Sequence, residues 1–226
     1  MARLFVQLKL RQLRNALIGS TAARVSFVVS TVFAAAFAIG TFIVLSLFRG
    51  TYSVELTSVV FTSIAFGWLF APIFAFGLDS TLDPASMALY PVRTRRLATG
   101  LLAASATGAW PLANVLGQLG VVVGLAHGPL GVLVALVAVV LQVLFCITLA
   151  RFVTTGMAGL LRSRRGKDLA AFLFLPVFAA YELFAQVVPK LASSGKLTQA
   201  SFAGFDSSMR WLPPGLAAHA IQDASD

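Results

Sequence analysis

The apolar residues of this chain come in runs. Val25 to Phe48 gives 24 residues without a charge, Leu56 to Leu78 another 23, and Leu97 to Leu125 a third run that carries Pro111, Asn114 and Gln118. Leu130 to Ala150 and Leu169 to Val188 complete five. A hydrocarbon core about 30 Å thick needs about 20 helical residues at about 1.5 Å each. The pattern predicts an all-α polytopic membrane protein with five transmembrane helices over residues 25–48, 56–78, 97–125, 130–150 and 169–188. The proline and polar residues of the third run predict a bent or tilted span.

Two flanks remain. Residues 1–24 read as a basic amphipathic leader on the cytoplasmic side. Arg3, Gln7, Arg11 and Arg14 fall on one helical face, and Val6, Leu10, Leu13 and Leu17 nearly opposite. It is either an interfacial helix lying on membrane lipid or a basic flank that holds the first span in place. Residues 189–226 read as an extracytoplasmic segment, with Trp211 at the interface and Pro213 and Pro214 breaking a short helix. A secretory signal is a poor reading of the first run, which is too long and lacks a small-residue cleavage site before Arg49.

Charge fixes the orientation. With the N-terminus cytoplasmic, 13 of the 17 basic residues lie inside, and only Arg49, Lys190, Lys196 and Arg210 lie outside. That is the bias of the positive-inside rule, so the net charge of +9 is a topology signal. The cations are dispersed over short loops rather than gathered on one soluble face, which argues against a nucleic-acid partner. The expected location is a membrane, with the N-terminus on its cytoplasmic side.

Between the second and third runs stands LDPASMALYPVRTRR. Asp83 can cap free helix amides and Pro84 suits the first helical position, while Pro91 stops the helix. A helix of about two turns follows, with Met87 and Tyr90 three apart on one side and Arg93, Arg95 and Arg96 anchoring the return to the membrane. Such a stiff cytoplasmic element can carry force from a soluble motor into two spans; an ordinary interfacial loop is the plainer alternative.

Motifs for chemistry are sparse. GLLRSRRGKD, Gly159 to Asp168, has six residues between its glycines and an aspartate after the lysine, so it is no phosphate loop. Neither GxSG nor HExxH occurs, and His127 and His219 fall at predicted extracytoplasmic positions. Asp79 and Asp83 are too few for a phospholipid transferase. No catalytic residue, metal site or resident cofactor is expected. Glu182 is the one ionisable group well inside a predicted span, about 9 Å from its outer end. With Asn114 and Gln118, four apart on one helical face, it is a candidate for a translocation path; helix-to-helix hydrogen bonding is the plainer reading. Gly120, Gly124 and Gly128, each four apart, suit close helix contact.

The order of KLRQLRN, two runs, LDPASMALYPVRTRRLATG, two runs, RSRRGKD, one run and RWLPPGLAAHAI resembles the permease subunits of type-2 ATP-binding-cassette exporters from high-GC bacteria. The resemblance implies a six-span unit whose sixth span follows the tail, and a coupling helix at Asp83 to Tyr90 that docks on a separate ATPase subunit. It also implies a lesser contact through the second cytoplasmic loop, with Arg162, Arg164, Arg165 and Asp168, and a second permease half or an identical mate. ATP and magnesium would sit in the partner. A non-transporting anchor or sensor subunit, or an ion-driven carrier using Glu182, are the competing readings.

The orientation is directly testable. Alkaline phosphatase fused after Gly50 or Ala126 is expected to be active, and fused after Arg93 or Arg165 inactive; the reverse pattern would invert the topology.

Overall fold

The computed structural model describes residues 2–47, 53–75, 94–161, 204 and 206–226. Among these there is no strand, and the regular structure is helical. The helices are α1 (Ala2–Ile18), α2 (Thr21–Leu47), α3 (Ser53–Ala75), α4 (Thr94–Ser105), α5 (Ala109–Gln118), α6 (Gly120–Gly124), α7 (Gly128–Leu161) and α8 (Pro213–Asp223). Three helices, α2, α3 and α7, are long and apolar enough to cross a membrane; α4 with α5 and α6 would make a fourth, bent by 68°. The run 169–188 lies outside the described residues.

The leader is a helix of its own, joined to α2 by a capped corner. Ser20 Oγ accepts from the Ala23 amide at 3.4 Å, while the Arg24 guanidinium donates back to the carbonyls of Gly19 and Ile18 at 3.1 and 3.4 Å. A hydroxyl at one helix start and a cation at the preceding helix end satisfy groups that both termini leave open. From this corner α1 packs along α4.

The bend in the third run does not fall at Pro111. The chain breaks at residues 106–108, where Gly108 has φ +152°, and Pro111 sits in the first turn of α5, where its missing N–H is harmless. The fourth run continues as helix to Leu161, so Arg151 is helical rather than part of a loop.

Small residues bring α2 against α5 and α6. Gly117, Gly120 and Gly124 face Ala38, Thr41, Phe42 and Leu45 of α2, running in the same direction. A Cβ on Gly120 would stand 2.6 Å from the Phe42 carbonyl oxygen, and one on Gly124 would overlap that of Leu45. Gly128 belongs to no such contact: at φ +68° it turns the chain into α7, with open space where a Cβ would be. Trp110 Nε1 donates to Ser30 Oγ at 3.0 Å and its ring meets Phe37 at 6.1 Å, tying the start of α5 to α2.

Apolar residues also point outward. Val25, Val28, Val32 and Ile39 on α2 and Leu130, Leu133, Val137, Val140 and Leu144 on α7 are exposed at helical spacing. This surface belongs in lipid.

The described part of the tail packs along α3 and α7. Pro213 and Pro214 do not break a helix; they open α8, with Leu212 as the extended residue before it. Residues 206–209 form a helical turn before it, and the chain reverses at 211–212, where the Leu212 amide donates to the Met209 carbonyl at 2.9 Å. Gly215 lets the two arms touch, since a Cβ there would lie 2.7 Å from Arg210 Cα. His219 Nε2 meets the Asp206 carboxylate at 3.0 Å across the arms. At the far end, Ser225 Oγ accepts from the His127 amide at 3.1 Å, beside the start of α7.

Gly120→Ala and Gly124→Ala are expected to lower the melting temperature in mild detergent and to weaken each other's effect when combined. Gly40→Ala, whose Cβ meets nothing within 4 Å, should be neutral or stabilising by up to about 1 kcal/mol.

Candidate functional site

Polar side chains gather inside the bundle, each placed by a helix that is otherwise apolar. Asn114 and Gln118, one turn apart on α5, are both 0% exposed, and Gln118 Nε2 donates to Asn114 Oδ1 at 2.7 Å. The Asn114 side chain lies beside the Cys146 thiol of α7. One turn back along α7, Gln142 Nε2 reaches Cys146 Sγ at 4.0 Å and donates to the Phe61 carbonyl of α3 at 2.9 Å. A polar ladder thus crosses from α5 through α7 to α3.

The ladder is not saturated. Asn114 Nδ2 and Gln118 Oε1 have no protein partner. The single bond between two amides leaves one amino group and one carbonyl over whichever way each amide is oriented. Such a pair suits a neutral group able to donate and accept at once, and offers no charge to an ion. Ser58 and Thr62 on α3 are likewise buried, with hydroxyls that make no hydrogen bond, and so is the Oε2 atom of Glu55 in the first turn of α3.

The sequence singled out Asn114 and Gln118, and the fold brings them together. Gln142, which links α7 to α3, was missed; it is the one amide within the fourth apolar run, and its four-residue spacing to Cys146 is the signal that could have found it. Asp83, Pro84, Met87, Tyr90 and Arg93 of the expected coupling helix lie outside the described residues. So do Arg162, Arg164, Arg165 and Asp168 of the second loop, and Glu182. Among the described residues no three or more His, Cys, Asp or Glu side chains group as metal ligands. No family model, curated protein or solved structure matches this chain.

The unsaturated pair makes a specific energetic forecast. Asn114→Leu or Gln118→Leu alone strands the remaining amide in an apolar interior, a loss of about 1–3 kcal/mol. The double variant removes both and should be destabilised by clearly less than the sum, measured by thermal or denaturant unfolding of the purified chain. A strictly additive result would mean that the two amides are not coupled.

Proposed function

We propose that this chain is the transmembrane permease subunit of an ATP-driven exporter of the type-2 ATP-binding-cassette class. It would form, with a second permease half or an identical mate, a substrate path worked by a separate ATPase subunit. Two features support the reading. One is the ordered set of phrases from KLRQLRN to RWLPPGLAAHAI, with the LDPASMALYPVRTRR phrase between the second and third runs. The other carries it furthest: the bundle keeps unsaturated amides inside and apolar side chains outside, which is how a path for polar groups through lipid is built.

On this reading the chain itself hydrolyses nothing. Asp83 to Tyr90 receives motion from the ATPase, with Met87 and Tyr90 as the packed contact, and passes it into α3 and the broken helix that starts with α4. Asn114 and Gln118 then line or gate the path, with Glu182 as a further polar group.

Purification of the tagged chain from its native membrane should retain a stoichiometric partner carrying a phosphate loop, identified by mass spectrometry. Replacing Met87 and Tyr90 together by glutamate should abolish export and release that partner while the protein stays inserted. Normal export by the double variant would sink the coupling role, and loss of export in Glu182→Gln while the Met87 and Tyr90 variant still exports would favour an ion-driven carrier.

A further inference from the structure

The tail contains an arrangement that lipid alone does not tolerate. Leu212, Pro213 and Pro214 form one wall of a crevice of about 130 Å³ whose other walls are Thr62, Ala65, Phe66 and Leu69 of α3 with Phe145 and Leu149 of α7. The α3 wall, Thr62 to Leu69, lies about 9–20 Å into the apolar run that starts at Leu56, and the α7 wall, Phe145 to Leu149, about 22–28 Å into the run that starts at Leu130. From the other direction, α8 has 11 residues and so spans about 16 Å, from the level of Asp223 down to Pro213. The two estimates put the reversal of the chain between about half and two-thirds of the way through a 30 Å core.

The outer arm of this hairpin is polar. Ser207, Ser208 and Arg210 are exposed, and the Arg210 guanidinium stands 6.0 Å from the centre of the Trp211 ring, itself 79% exposed. The nearby carboxylate, Asp206, is buried and held by His219 on the second arm. Non-helical backbone and an arginine at this depth are tolerated only inside protein or along water.

We propose that residues 206–223 wall a water-filled vestibule, open at the end of the bundle where Ser225 meets His127, in which Arg210 is the fixed positive charge. The crevice behind the hairpin is apolar, and the arm in front of it is wet. An anionic group entering from that end passes the exposed Asp223 and Asp226 before it reaches Arg210 beside the reversal, so Arg210 marks the inner end of the vestibule as the place where an anionic head group is held. The inference rests on the membrane-spanning reading of α2, α3 and α7 and deepens the permease reading by giving its path a sign. Its test needs neither ATPase nor cargo, so the two can fail separately.

The chain's only cysteine, Cys146, is 0% exposed, which makes thiol labelling clean. In a Cys146→Ala background, Ser208→Cys and, as a second site, Ser207→Cys would be labelled in the full chain in proteoliposomes. Val140→Cys on the lipid face of α7 serves as control. The probes are the impermeant methanethiosulfonate reagents carrying a sulfonate or a trimethylammonium group. Both serine-site variants should react to completion under conditions that leave the Val140 variant untouched. Adding Arg210→Gln should lower the ratio of anionic to cationic labelling rates at position 208 by about fivefold, as expected for removing one charge at about 8 Å in water. Serine-site variants as inert as the Val140 control would overturn the vestibule, and a rate ratio unmoved by Arg210→Gln would overturn the assignment of its charge.

Discussion

Hydrocarbon offers no partner to a hydrogen-bonding group, and the described fold follows from that constraint. Helices satisfy the backbone, so what remains is the disposal of side-chain hydroxyls and amides. Thr31, Thr57, Thr148 and Thr154 each donate to the carbonyl four residues earlier. Each needs no neighbour, so it can sit on any face. Asn114, Gln118 and Gln142 are too long and too polar for that solution, and they turn inward to one another and to the Phe61 carbonyl. A membrane hydrogen bond of this kind contributes only about 0.6 kcal/mol on average. Its role is therefore to fix which faces of α3, α5 and α7 turn inward more than to hold the bundle together.

Cohesion comes from close approach. Lipid is as apolar as leucine, so helices in it gain little from hiding leucines and more from backbone contact. The glycine series of α5 and α6 against Ala38, Thr41, Phe42 and Leu45 supplies that contact. It also explains the break at Leu119 in local terms: α5 and α6 are two short helices kept in line by one glycine seam, not by a continuous ladder of hydrogen bonds. The break at Gly108 differs, because there the chain turns by 68° and needs a conformation that side chains resist. Arg151 of α7 donates to Ser105 Oγ at that corner, so one cation ties α7 to the end of α4 just before the joint.

Run length and the absence of charge placed both ends of α2 and α3 and the start of α7 within a few residues, because the bilayer sets that length and composition reports it directly; α7 runs eleven residues past the expected end at Ala150, since a helix need not stop where its apolar run does. The bend of the third run was legible as an event and misplaced in position. Pro111 is the loudest residue in the stretch, yet a proline in the first turn of a helix is compatible with it, whereas Gly108 is silent in sequence until its φ is known. Pro213 and Pro214 misled in the same way, as signals of a break that proved to be a beginning. Of the candidate site, Asn114 and Gln118 were legible as a pair on one face. Their neighbours on α7 were not, since no periodicity within one helix tells which other helix it faces.

The double proline also bears on how the tail can reach so deep. A helix start leaves its first N–H groups without partners, and a start half-way through a membrane exposes them where water is scarce. In α8 the first two positions are prolines and carry no N–H at all, while the Leu212 amide before them is taken by the Met209 carbonyl. Leu216 then donates to the Leu212 carbonyl at 3.0 Å, closing the first turn. Most of the unpaired donors that would forbid a helix start at this depth are thus absent by composition or already bonded. What the hairpin keeps is the outer arm, where Ser207 and Ser208 donate to the Gly204 carbonyl and Arg210 stays exposed. One arm is fitted to the apolar flank of α3 and α7 and the other to water, and a segment so divided belongs at a boundary between the two.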